Sequence, residues 1–401
     1  MHESHRIIGD VRGKEITYMN AREKFQAVMS FERNAPNLKA EFGYWAAAVR
    51  RWFGEGLPKR EEIPPGVPDG DLVRGESPIW KGAGDLTDRN VMPHLGLDSY
   101  LAKFPIDLSP MLKTEIVEET GEYRIFKDGF GITKKVMKTN ASTPYVIDYP
   151  IKNRADFERY RELYDGDFKK RLPANWEEIK IILKTRTFPI RLGGNPFGFS
   201  FFARHLMGDV GFMLGMYDDP ALIKSFNEFF LGITMEYWSL IMEGVDVDCA
   251  FILEDVAYRG GSMVSPAMFE EFMAPYTRRF VDFAKQHGVG LVIVDCDGLI
   301  TELVPLWVKC GVTGLFPLEA LNDIAAIREA YPRLRLLGGV DKRPLIGGSK
   351  DEIDLELARI GKVMRKGGYI PHVDHAVPAD ISFKNFVYYR QKLNGIIDGG
   401  A

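Results

Sequence analysis

Residues 290–319 read GLVIVDCDGLITELVPLWVKCGVTGLFPLE, and their order decides the fold. GLVIVDC (290–296) is a short apolar run of the kind that fills a strand buried on both faces, and GLFPLE (314–319) is a second. Between them, Ile300 to Cys310 carries apolar residues at helical spacing. Strand, helix and strand in so short a span make one unit of a parallel sheet.

The rhythm extends in both directions. PIRLGG (189–194), CAFILE (249–254), RLLGG (335–339) and GGYIPHV (367–373) are further strand candidates, and Pro220–Glu243, Pro266–His287 and Asp323–Tyr331 read as helices between them. Such spacing, with its longer gaps taken as insertions, suits a barrel. A doubly wound sheet would announce itself with a Gly-rich phosphate turn, and neither G-x-G-x-x-G nor G-x-x-x-x-G-K-S/T occurs. The fold expected is α/β, a (β/α)8 TIM barrel with an N-terminal helical extension and a β-hairpin insertion.

Residues 1–70 are expected to pack on a barrel spanning 71–401. The chain reads as helical from about 19 to 54. Asn20 is the N-cap of the first helix, and a second helix covers about Phe42 to Phe53. Pro58, Pro64, Pro65 and Pro68 then break the chain into a connector. Between about 110 and 150, EIVEETGEYRIFKDGFGITKKVMK alternates as strands do and breaks at Gly121 and Asp128-Gly129, which predicts the hairpin insertion.

Of the 401 residues, 45% are hydrophobic and 27% charged, enough for a large core in a soluble chain. A net charge of −4 argues against nucleic acid, whose binding draws on Lys and Arg clusters. Cys249, Cys296 and Cys310 are too few and too unevenly spaced for a disulfide framework, which points to a reducing compartment. The polar start MHESHRIIGDVRGKE lacks the apolar stretch of a secretory signal, and no window approaches the roughly 18 apolar residues of a membrane span. A cytoplasmic protein is expected, with no membrane partner.

In a barrel, chemistry sits where strands run out into loops. The polar strand ends are Asn195, Glu254-Asp255, Asp295-Cys296-Asp297, Glu319, Asp341 and Asp374-His375. Carboxylates converging in one cleft repel unless a cation, a metal or shared protons relieve them. Arg204, Arg259, Arg278, Lys342 and Arg343 are near in sequence; equally, each acid could cap the helix that follows it. Cys296 reads more readily as a small buried hydrophobe than as a nucleophile or ligand. Phe197, Phe199, Phe201 and Phe202 crowd one loop, either as core beneath it or as the wall of an apolar substrate site.

EDVAYRGGSMVSPAMFEEFMAPYTRR (254–279), VIVDCDGLITELVPLWVKCGVTGLFPLE (292–319), GGVDKRPLIGG (338–348) and GGYIPHVDHAVPADISFKNF (367–386) resemble successive blocks of the uroporphyrinogen decarboxylase-like superfamily. That superfamily includes the haem-pathway decarboxylase and cobalamin-dependent methyltransferases. The resemblance covers roughly residues 15 to 395. It departs from the decarboxylase in its N-terminal segment, FERNAPNLKAEFGYWAAAVRRWFGEGLP, where the arginines that hold a polycarboxylate are missing and only Arg50-Arg51 lie nearby. It departs from the thiol methyltransferases too. Asp295-Cys296-Asp297 stands in their H-x-C slot and His375 in their later cysteine slot, so the ligands implied are harder.

The resemblance thus implies a methyltransferase that takes a methyl group from a small methoxylated aromatic and passes it to a corrinoid (cobalamin) carried on a partner protein. It implies Glu254, Asp295, Asp297 and His375 as catalytic residues. Zinc would sit on Glu254, Asp297 and His375, with Cys296 in reserve. Asn195, Phe197, Phe199, Phe202, Arg204, Tyr258 and Arg259 would contact substrate. A decarboxylase acting on a smaller acid and a non-catalytic binding protein stay open, as does a homodimer.

Overall fold

The computed structural model describes residues 19–75, 86–138, 144–164 and 166–399; the first eighteen residues of the expected extension lie outside the described residues. Helix α1 (Ala21–Met29) begins as expected on Asn20, whose side chain accepts from Glu23 N while Glu23 returns a bond to Asn20 N. Helix α2 is Ala46–Gly54. The helical expectation fails between them: Phe42 to Trp45, assigned to the second helix, are extended. Gly43 adopts φ 135°, where an ideal Cβ would stand 2.9 Å from Val73 O. Tyr44 forms a parallel bridge with Val377.

Seven parallel strands form the central sheet and stand side by side in chain order. They are β1 (Ala102–Lys103), β2 (Ile190–Gly193), β3 (Cys249–Leu253), β4 (Val292–Asp295), β5 (Gly314–Leu318), β6 (Arg335–Val340) and β7 (Tyr369–Val373). Cys249 and Phe251 join an inner cluster with Leu101, Ile293, Phe316, Leu337 and Ile370. Ala250 and Ile252 join an outer cluster with Val292, Val294, Leu315, Leu336 and Tyr369. Side chains alternate across a strand, so two cores on its two faces require both to be covered. One inner cluster running from the chain beside β1 to β7 means that the sheet is curled around it.

Helix α1 sits at the end of the inner cluster where the strands begin. Phe25, Val28 and Met29 belong to that cluster, Arg22 N donates to Thr187 O, and Arg335 Nε donates to Met29 O. From there residues 37–44 run beside β7. Asn37 donates to Tyr369 O at 2.7 Å, Val373 N donates to the Glu41 carboxyl at 2.9 Å, and Val377 N donates to Gly43 O. On the other side Asp98 N, just before β1, donates to Lys39 O.

Helices α3 (Phe201–Asp218), α4 (Pro220–Met242), α5 (Ala274–Gln286), α6 (Val304–Lys309), α7 (Ile324–Ala330), α8 (Lys350–Met364) and α9 (Phe383–Ile397) cover the outer face. The helix expected over 266–287 is broken: Pro266–Phe272 ends before α5 because Pro275, in the first turn of α5, has no N–H to continue the ladder. The expected hairpin is larger than one hairpin. Glu115–Glu119, Tyr123–Lys127, Thr133–Met137 and Tyr145–Asp148 form a four-stranded antiparallel meander. Among the described residues no helix is long and apolar enough to cross a membrane.

Candidate active site

The carboxyl ends of β3, β4, β5 and β7 bring Asp255, Asp295, Asp297, Glu319, Asp374 and His375 to one end of the curled sheet. His375 Nε2 lies 3.5 Å from Asp297 Oδ2. Its ring packs 4.5 Å from that of Phe42, which in turn stacks on Phe316 at 5.5 Å and 12°. Gly298 N donates to Glu319 at 2.9 Å. Asp374 accepts from Ala320 N and pairs with Lys342 Nζ at 3.1 Å. Asp297 N donates to the Asp255 carboxyl at 3.3 Å.

This crowding moves protons. Burial, then the Glu319 charge, pushes the Asp297 carboxyl up to about 6, against the opposing pull of Lys342. Burial and the Asp297 charge likewise push Asp255 up to about 6. Asp295 is driven well above the usual carboxylate range by burial, with Arg191 opposing. His375 is pushed down to about 4, first by burial and then by Lys342, so its imidazole is neutral at pH 7.

Below this layer lie residues that the strand-end rule does not reach. Arg191 lies over the Phe251 ring at 4.4 Å, with Nη1 4.0 Å from Asp295. Arg74 lies over Phe42 at 5.1 Å. His372 Nδ1 faces its neighbour's carbonyl, Val373 O, at 2.7 Å, which leaves Nε2 to accept from Tyr100 OH at 3.3 Å. Arg191 and His372 carried a signal in the sequence, each being a polar residue inside an otherwise apolar strand. Phe42 and Arg74 carried none.

Several expected site residues stand elsewhere. Glu254 is fully buried beneath the loop leading into α3, where its carboxyl accepts from Ser200 N, Phe199 N and the Ser200 hydroxyl. Burial pushes that carboxyl up to about 7. Phe197 packs on Trp238 and Phe280, Phe199 on Tyr276, and Phe202 on Phe226 and Phe230. These rings are the core between β3 and helices α3, α4 and α5, so they do not line the mouth. The reason is Gly198: an ideal Cβ there would sit 1.5 Å from Leu253 O, so the loop lies flat on β3 and turns its rings outward. Cys296 is in the outer cluster, its thiol pushed well up by burial.

Asn195 is exposed, and its carbonyl accepts from Lys103 Nζ. Arg204 is held by Asp209 at 2.6 Å and by Asp255 O. Tyr258 and Arg259 are exposed on a small hairpin whose backbone covers Gly298, where a Cβ would meet Tyr258 N at 2.8 Å. Neither Arg50 nor Arg51 reaches the mouth: Arg50 is bound by Asp69, Pro64 O and Val67 O, and Arg51 by Glu55 and Ala379 O.

A curled parallel sheet with titratable groups gathered at the carboxyl ends of its strands defines the class: an α/β barrel-like protein of the kind whose sites are built from strand-end loops. The family follows. The uroporphyrinogen decarboxylase (URO-D) family matches residues 127–391, more than half of the chain, and the chain belongs to that family. The methylcobamide:CoM methyltransferase MtbA of Methanosarcina acetivorans is 24% identical over 224 residues, 55% of this chain and 62% of that protein. The chain therefore matches less than two thirds of that relative's length. A methyltransferase from Methanosarcina mazei has the same fold, with a TM-score of 0.54 at 16% identity over 95% of this chain and 99% of its own.

Proposed function

We propose that the protein is a methyltransferase that takes a methyl group from a small methoxylated aromatic and delivers it to a corrinoid on a separate protein. The observation that carries this is the Asp297–His375 pair set against Phe42, with a carboxyl raised to about 6 facing a neutral imidazole across 3.5 Å. Such a carboxyl keeps its proton in about a tenth of the molecules at pH 7 and in most of them below pH 6, and that form delivers the proton to an ether oxygen as the methyl–oxygen bond breaks. The oxygen keeps the bonding pair and leaves as a phenol instead of a phenolate. The corrinoid supplies the electron pair that accepts the methyl group. Phe42 and Phe316 line the pair with apolar rings, and His375 orients the Asp297 carboxyl.

The three-ligand zinc site expected from the sequence does not fit these residues. Both Glu254 oxygens are taken by Ser200 and Phe199, Cys296 faces the outer core, and no group of three or more ligand side chains among the described residues is placed to hold a metal. Asp297 and His375 remain as two donors. Metal analysis of protein purified without chelator tests the zinc reading. Stoichiometric zinc lost in His375→Ala would restore it.

The same reading makes the barrel a closed (β/α)8 with residues 37–44 as its eighth stave, and the enzyme cytoplasmic with a corrinoid protein as partner. The experiment mixes the enzyme with reduced corrinoid protein and a panel of methoxyarenes, methylamines and methyl thiols, and follows methylcobalamin by absorbance. Transfer from ethers is expected. Transfer from amines or thiols alone would sink the substrate class. No transfer, together with CO₂ release from uroporphyrinogen or a smaller acid, would restore the decarboxylase reading.

A further inference from the structure

Arg191 is out of place in the strand that carries it. It sits between Ile190 and Leu192, both fully buried, and is itself only 7% exposed. Its strand pairs with Lys103 on one side and Cys249 on the other, and its side chain rises inside the curled sheet across the Phe251 ring. Gly194 makes room for the guanidinium: an ideal Cβ at that position would stand 2.7 Å from Arg191 Nη1.

A buried guanidinium normally meets a carboxylate or several carbonyls, because its desolvation is otherwise uncompensated. Among the described residues Arg191 Nη1 has no hydrogen-bond partner. The nearest acid, Asp295, stands 4.0 Å away, beyond the 2.7–2.9 Å of a charge-assisted bond. Burial holds Asp295 well above the usual carboxylate range, which weakens it further as a counter-charge. Lys342, by contrast, has its partner in Asp374.

We propose that the Arg191 guanidinium is the docking point for a single carboxylate on the substrate, so that the site takes an aromatic acid in preference to a neutral arene. The aromatic half of this statement rests on the methyl-donor reading above; the carboxylate half rests on Arg191. A bidentate guanidinium–carboxylate pair would satisfy the orphaned nitrogen and fix the ring in one orientation. The acids of the mouth do not forbid it. Asp297, Glu319 and Asp374 gather on the side of β4, β5 and β7, whereas Arg191 approaches from β2, beneath Asp295.

The probes are 4-methoxybenzoate and 4-methoxybenzamide, which share a shape and differ in charge. Dissociation constants are measured by calorimetry on the full chain at neutral pH. The acid is expected to bind about tenfold or more tightly than the amide, and Arg191→Gln to abolish that preference while leaving the amide within about twofold. Arg191→Lys keeps the charge without the fork and should recover part of it. Equal binding of acid and amide, no binding of the acid, or equal loss of both in Arg191→Gln would overturn the proposal. If neither variant folds, the wild-type comparison decides alone.

Methyl transfer is scored separately. Arg191-dependent acid binding without transfer removes the methyltransferase reading and leaves the carboxylate site. Transfer from the amide as fast as from the acid removes the carboxylate site and leaves the methyltransferase.

Discussion

Asp297 and His375 are driven in opposite directions by burial, which disfavours the charged form of each. The carboxyl rises to about 6 and the imidazole falls to about 4, so between those values a protonated carboxyl faces a neutral imidazole. If Asp297 is the proton donor, kcat/KM for methyl transfer should fall as pH rises through about 6, as the donor form is lost. Lys342 lowers the Asp297 value, so Lys342→Met should raise it and move that limb to higher pH. A pH–rate profile with an unmoved limb would show that Asp297 is not the acid. Asp297→Asn should cost about 10²–10⁴ in rate, the usual worth of a positioned acid. Both residues were legible as polar strand ends. Arg191 stood out as a charge inside an apolar strand, but its inward direction did not, because which face of a doubly buried strand looks inward depends on the curl of the sheet; Phe42 carried no signal.

Glu254 and Ser200 join β3 to the start of α3. The Ser200 hydroxyl serves both the carboxyl and the main-chain carbonyl of Glu254, so Ser200→Ala should lower the stability measured by urea unfolding by about 1–3 kcal/mol. Glu254 also makes stability depend on pH. Its folded value, about 7, lies above the ordinary 4.5. The folded chain keeps the proton while the unfolded chain loses it, so this contribution is present below about 4.5 and is lost as pH rises through about 7. Wild type should therefore lose more stability between pH 5 and 7.5 than Glu254→Gln, by up to a few kcal/mol; parallel curves would deny it. The strands bordering this junction were read from the sequence to within two residues at either end, since apolar runs bounded by Gly, Pro and acids mark them clearly. The neighbouring phenylalanines were ambiguous because aromatic density does not distinguish a substrate wall from a core, and only the close approach of Gly198 to Leu253 decides it.

Across the whole molecule, residues 25–42 contribute to the inner core. Phe25, Val28 and Met29 supply it where the strands begin, and Leu38, Ala40 and Phe42 continue it toward the mouth. Glu41 is fastened from several sides: its carboxyl accepts from Val373 N at 2.9 Å, Phe42 N at 3.1 Å and Tyr389 OH at 3.2 Å, and pairs with Arg390 at 3.4 Å. Arg390 is fully buried and donates also to Ala40 O. The proline-rich connector at 55–70 reads in the sequence as a connector between packed parts, and a cut there removes the counter-charge of a buried arginine in α9. Breaking such a pair from one side costs about 3–5 kcal/mol, a large part of the stability of an ordinary domain, before any loss of apolar packing is counted. A chain beginning at residue 71 should accordingly fail to fold, giving insoluble or noncooperatively melting material. Glu41→Ala in the full chain should fold with its stability lowered by about the same 3–5 kcal/mol. Circular dichroism and thermal melting of the two proteins make the test: a soluble 71–401 fragment with a sharp transition near that of the full chain would mean that the inner core forms without residues 25–42.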